Sequence, residues 1–258
     1  MNFIVEIYEY REMVSSLVRR DLRGRYKGSF FGFLWTFINP LFQLIIYTIV
    51  FSYFMKMGID KFYMFLFVAL VPWIFFNSCL QMGATCVIDN KEMVKKIYFP
   101  RMVLPLSYVL SNFINMLFCF VVIFAVIFVT GFGVNIVALL YLPITMLVEL
   151  ILAIGIILIT SACTVFVRDL QHVLSIVGLG WMYLTPVIYP ESMIPDDFRI
   201  IFQLNPMLPI VRAYRDILYY KRQPQISTLL QAALMGIALV IVGIIVFNHL
   251  QKKFVEEL

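Results

Sequence analysis

Residues 17–40 read LVRRDLRGRYKGSFFGFLWTFINP. The first half carries Arg19, Arg20, Arg23, Arg25 and Lys27 against one acid, Asp21. The second half is aromatic and apolar, with Phe30, Phe31, Phe33, Trp35 and Phe37, and the change falls at Gly28-Ser29. A basic segment that turns abruptly into an uncharged aromatic one suits a chain leaving an anionic membrane surface for the bilayer. The cations meet lipid phosphate, and the amphipathic rings settle at headgroup depth. The seam therefore puts the N-terminal side in the cytoplasm. Basic residues beside aromatics also suit nucleic acid, but the uncharged run that follows at once argues for a membrane instead.

Composition extends this reading to the whole chain. Of 258 residues, 62% are hydrophobic and 14% charged, with a mean hydropathy of +0.94; soluble domains carry about 25% charged residues. The chain is read as an all-α, polytopic membrane protein. It forms one domain over 1–258, with a cytoplasmic interfacial region at 1–29, a six-span region at 30–250 and a cytoplasmic tail at 251–258. The net charge of +5 fits basic cytoplasmic loops. Cys79, Cys86, Cys119 and Cys163 form no CxxC pair, so they read as small apolar packing residues. No cleavable signal peptide is expected, because the first 27 residues are charged and lack an early apolar core.

Residues 2–15 space their apolar side chains as an amphipathic helix lying at the membrane interface. Six spans follow, at about 31–55, 62–82, 103–130, 136–167, 173–188 and 227–247, which places both termini inside. Pro40 predicts a kink or broken start in span 1. Between spans 2 and 3, residues 87–98 read as one short amphipathic cytoplasmic helix, with acids early and Lys95 and Lys96 late. Between spans 5 and 6, Pro186, Pro190, Asn205-Pro206 and Pro209 break the chain into short outer helices, partly re-entrant. Thirteen of the 20 lysines and arginines fall inside. The outer exceptions concentrate at Arg199, Arg212, Arg215, Lys221 and Arg222, which marks that segment as functional. Arg212, Arg215 and Asp216 are expected to pair at the surface.

Within the spans, Glu149 is the one deep acid, a functional candidate by its cost alone. No phosphate-binding glycine loop, HExxH or GxSxG occurs, so the chain brings no nucleotide-hydrolysing or familiar catalytic motif, and no metal or cofactor site is expected.

Four stretches together resemble the permease subunits of ABC-2 type exporters for polysaccharides and polyol phosphates, the O-antigen and teichoic-acid export family. They are RRDLRGRYKGSFFGFLWTFINPL (Arg19–Leu41), VRDL (Val167–Leu170), TPVIYP (Thr185–Pro190) and NPMLPIVRAYRDILY (Asn205–Tyr219). The resemblance runs in order along nearly the whole chain. It implies a homodimer working with two copies of a separate ATPase, which would hold the ATP and Mg. It implies a bacterial inner-membrane exporter whose cargo is a glycan or teichoic-acid-like polymer on undecaprenyl diphosphate.

On that reading Val87, Asp89, Glu92, Met93, Val94, Ile97 and Tyr98 would contact the ATPase, with the N-terminal helix beside them. Arg19, Arg20, Arg23, Arg25 and Lys27 would attract the lipid diphosphate or anionic lipid. Phe33, Trp35, Phe37, Tyr47, Trp73, Trp181, Tyr183 and Tyr189 are candidate channel aromatics, offering C–H faces to sugars. Pro186, Pro190, Asn205, Pro206, Arg212 and Arg215 would form the outer gate. The competing readings are an ABC-2 permease for a small drug or lipid, and a membrane-embedded glycosyl or acyl transferase built around Glu149, His172 and His249.

Overall fold

The computed structural model describes residues 8–25, 28 and 30–258. Every regular element among them is helical. Helix α1 spans Arg11–Gly24, and a 3-10 turn at Gly32–Leu34 leads into α2, Trp35–Thr48. Next come α3 (Phe62–Gln81), the short α4 (Cys86–Asp89) and α5 (Lys91–Lys96), and α6 (Val103–Val129). Helix α7 (Ile136–Leu139) precedes α8 (Leu142–Phe166), and α9 covers Leu170–Leu184. Helices α10 (Arg199–Gln203) and α11 (Met207–Leu218) precede α12 (Ile226–Leu250) and α13 (Phe254–Glu257).

Five helical stretches are long and apolar enough to cross a membrane: Gly32–Phe54, Phe62–Asp89, Val103–Val129, Ile136–Phe166 and Ile226–Glu257. Leu170–Leu184 is a shorter apolar helix. Its 15 residues reach only about 22 Å at the α-helical rise, against a hydrocarbon core of about 30 Å. Any crossing there has to be finished by the non-helical TPVIYP stretch.

Helix α3 is the hub. It is apolar all round, and Phe65, Phe67, Leu66, Leu70 and Phe76 are fully buried, which is what a helix surrounded by others requires. Helices α2, α6, α8, α9 and α11 pack around it. The most extensive helix pair is α8 with α12, and glycines explain its closeness. A Cβ on Gly155 would lie 2.7 Å from the Leu239 carbonyl carbon, and one on Gly243 would lie 2.9 Å from the Gly155 oxygen. Small residues let two backbones approach where no hydrophobic effect drives helices together.

Pro40 does not break its helix. It lies inside α2, and the Thr36 carbonyl that its missing N–H would leave bare accepts from Cys119 Sγ at 3.5 Å. The irregularity in this span is instead a π-helical turn at Ile49–Phe54. At the N-terminal side, residues 2–7 of the interfacial helix expected over 2–15 lie outside the described residues. Helix α1 itself runs through the basic segment to Gly24, so basic segment and helix are one element. Val14, Leu17 and Val18 are its buried face.

Candidate functional site

One end of the bundle is tied together around α1. Its apolar face joins Val87, Val94, Phe99, Val103, Phe247 and Phe254 in one cluster. Its polar end is fixed by Arg25, whose Nη2 donates to Asp21 Oδ2 at 2.8 Å and to Ser111 Oγ at 3.3 Å. Arg25 Nη1 donates to Asn112 Oδ1 at 3.0 Å, and the guanidinium sits 5.6 Å from the Tyr108 ring centre. Arg25 therefore joins α1 to α6, rather than standing open to a lipid phosphate. Arg19, Arg20 and Arg23 are exposed and line a groove of about 730 Å³ with Glu12, Ser15, Ser16 and Gly24. Arg20 also donates to Asn90 Oδ1 at 2.6 Å. Lys27 lies outside the described residues.

The stretch expected as one helix over 87–98 is an elbow. Asn90 sits outside helical geometry, and Ile97 is extended. The reason is polar competition: Asn90 Nδ2 donates to the Cys86 carbonyl at 2.7 Å, while Thr85 Oγ1 donates to Asp89 Oδ2 at 2.8 Å. Val87 and Val94 turn inward and are buried, so they are not free to meet a partner. Glu92 is exposed and pairs with Lys96 at 2.8 Å, and Met93 is half-buried. Ile97 and Tyr98 point outward, 56% and 98% exposed. A second support comes from residues 251–258. Helix α13 packs on α5 and α8, and Phe254 is fully buried against Phe247, with 5.4 Å between ring centres. Arg101 donates to the Gln251 carbonyl. The charged tail hid this role, although a lone Phe among Lys252, Lys253, Glu256 and Glu257 was a signal.

Beside the elbow lies a cavity of about 630 Å³. Each surrounding element contributes one polar face: Asp21 and Arg25; Ser78, Gln81, Thr85 and Asp89; Tyr108 and Asn112; Gln171, His172 and Ser175. Gln81 Nε2 donates to Asn77 Oδ1 at 2.9 Å. Gly178 makes room for both amides, since a side chain there would strike them. Sequence reading passed over this set because each residue alone is unremarkable. The signal lies in the i, i+3, i+7, i+11 spacing of Ser78, Gln81, Thr85 and Asp89 along otherwise apolar helix.

Glu149 is buried, and its Oε2 accepts from Tyr214 Oη at 2.6 Å. Tyr214 is fully buried too, so the acid binds α8 to α11. It opens onto no path and lies near neither His172 nor His249 in the chain.

At the outer end α11 is not a surface helix. All of its residues except Arg212 are buried, and it packs among α3, α7, α8 and α12. Arg215 and Asp216, expected to pair at the surface, are 5% and 3% exposed. Arg215 Nη2 donates to the Val187 carbonyl at 2.7 Å and Nη1 to the Tyr189 carbonyl at 3.4 Å. Its guanidinium lies 3.6 Å from the Phe65 ring centre. Burial pulls its pKa down to about 9, with Tyr220 and Glu191 opposing, so it stays charged at neutral pH. It occupies the carbonyls that the broken TPVIYP backbone exposes.

Asp216 pairs with Arg222 at 2.7 Å, and Arg212 with Glu191. Asn205 uses its whole amide. Its Oδ1 accepts from Trp181 Nε1 and from the Met207 N–H, and its Nδ2 donates to the Leu184 carbonyl and to Thr185 Oγ1. Pro186 is buried, while Pro190 and Pro206 are half-buried.

The candidate aromatics do not form one wall within this chain. Trp73 is 3% exposed in the core beside Phe76, so it faces packing and no path. Trp181 is held by Asn205. Phe33 stacks edge-on with Phe37 and Phe118, Tyr47 contacts Phe51, and Tyr189 donates to the Tyr183 carbonyl. Phe33 and Tyr183 keep exposed faces.

A family model described as ABC-2 type transporter matches residues 12–219. Curated relatives extend further. The O-antigen export system permease protein RfbA of Myxococcus xanthus is 34% identical over 263 residues, covering 100% of both chains. The RfbA protein of Klebsiella pneumoniae is 34% identical over 252 residues, covering 96% of this chain and 95% of its own. The polysialic acid transport protein KpsM of Escherichia coli is 23% identical over 209 residues, covering 79% and 80%.

Proposed function

The chain belongs to the ABC-2 type transporter family, and from that premise we propose that it is the permease of an ATP-driven exporter of lipid-linked polysaccharide. It is a multi-pass membrane transport component, not an enzyme. The observation that carries the cargo assignment is similarity over the full chain length to a permease named for O-antigen export. The polymer travels from the cytoplasmic to the outer face of the bacterial inner membrane, joined to a polyprenol through a diphosphate. Two copies of the permease work with two copies of a separate ATPase, which holds ATP and Mg.

The geometry supports a division of labour. Ile97 and Tyr98, exposed on an elbow braced by α1 and α13, offer the ATPase a rigid apolar grip. Closure of the ATPase then moves a packed body, since the elbow shares its core with α8 and α12. Arg19, Arg20 and Arg23 offer the lipid diphosphate charge-assisted hydrogen bonds at the entry side. At the outer end the TPVIYP break and α11, locked by Arg215 and Asn205, form the gate.

The test is to co-express the chain with its ATPase, reconstitute the complex in lipid nanodiscs and follow ATP turnover with and without lipid-linked glycan. The expected result is a two-plus-two complex whose turnover responds to the glycan. Absence of any ATPase association, or turnover indifferent to glycan, overturns the assignment.

A further inference from the structure

We infer that the polar cavity beside the elbow is a binding site for uncharged sugar residues of the cargo, separate from the site that takes its diphosphate. The inference rests on the exporter reading and refines it. At about 630 Å³ the cavity falls inside the range of about 300–1,000 Å³ typical of ligand sites. Its chemistry is the ground for the assignment. Its lining runs from buried Asn112 through half-buried Gln81, Tyr108 and Gln171 to exposed Asp89 and Ser175, so polar side chains from four elements face one water-accessible space. Here Gln81, Asn112, Gln171 and Ser175 converge with Thr85 and Tyr108. Amides and hydroxyls both donate and accept, which matches the alternating capacity of sugar hydroxyls.

Charge decides against a phosphate. The cavity carries the carboxylates of Asp21 and Asp89 against the single guanidinium of Arg25, with the imidazole of His172 beside them. Arg25 is already committed to Asp21, Ser111 and Asn112. A diphosphate entering would meet the Asp89 carboxylate, which has a donor in Thr85 but no cation among the described residues, whereas a neutral ring would meet hydrogen-bonding groups and the apolar side of Met82. Arg19, Arg20 and Arg23 line a different groove, where Arg20 also donates to Asn90. The cargo's head is thus read in two parts: anion on α1, first sugars between α3, α6 and α9.

Two probes separate these parts in the permease–ATPase complex in nanodiscs: a polyprenyl diphosphate bearing a neutral disaccharide, and the same lipid without sugar. ATP turnover is titrated with each. The double variant Gln171→Ala, Ser175→Ala changes half-buried and exposed side chains and leaves the helix intact. It is expected to raise the half-maximal concentration of the sugar-bearing lipid by about tenfold, from the loss of roughly one net hydrogen bond or two, and to leave the sugar-free response unchanged. Arg19→Ala with Arg23→Ala is expected to weaken both responses. A Gln171/Ser175 variant that answers both lipids like wild type, or loses both equally, overturns the sugar site while the exporter reading stands. A wild-type complex that answers neither lipid overturns both.

Discussion

Two buried side chains, Arg215 and Glu149, show what an ionisable group does in this interior. Arg215 reads in the sequence as one of a cluster of outer cations, yet it serves the carbonyls of Val187 and Tyr189. A planar fork does this where a lysine's point charge would not. Glu149 reads either as a functional acid or as a packing acid bonded to a neighbouring helix, and the structure gives it such a bond, from Tyr214. Periodicity marks such residues as costly without saying what they touch, because their partners lie 28 and 65 residues away. Replacing Tyr214 with Phe strands the carboxyl and is expected to cost about 1–3 kcal/mol, seen as a lowered unfolding temperature in nanodiscs. Glu149→Gln keeps the acceptor and is expected to melt and export like wild type. Lost export at an unchanged melting temperature would return Glu149 to a transport role.

At the scale of elements, the spans were readable because each is a long uncharged run, and length alone distinguishes it. The elbow was readable as amphipathic but not as broken, since its break depends on side-chain hydrogen bonds at Thr85, Asp89 and Asn90 that compete with the backbone. Burial also re-sorts its residues: Val94 is seated in the core and Ile97 is exposed. Changing Val94 to Asp would bury a charge, so it tests folding. The informative variant is Phe254→Ala. Removing a fully buried ring from beneath the elbow is expected to leave complex formation intact while loosening transmission. ATP hydrolysis then continues as glycan export falls several-fold, and Phe254→Leu restores most of the ratio. Hydrolysis and export falling together would make Phe254 a general stability residue instead.

For the whole molecule, α1, the elbow and residues 251–258 share one apolar cluster, while Arg215 and Asn205 join the TPVIYP break to α11. The basic seam at 17–40 predicts that the first group is cytoplasmic and the second external. Single cysteines at Gln171 and Ser192, on a background with the four native cysteines replaced, are expected to react with a membrane-impermeant maleimide from opposite sides of the membrane. Labelling of both from one side would remove α9 as a crossing. The polar cavity was legible only in part: the Ser78, Gln81, Thr85 and Asp89 spacing marks one wall, while the other walls come from elements distant in sequence.

The support under the elbow has a temporal side. Residues 86–98 leave the ribosome long before residue 254, so the exposed pair Ile97 and Tyr98 is made well before one of its supports. On the proposed coupling role, an elbow met at that stage has α1 behind it but not Phe254, and an ATPase engaging it would grip a surface that yields. Order of synthesis and competence to couple would then be joined by one phenylalanine ring.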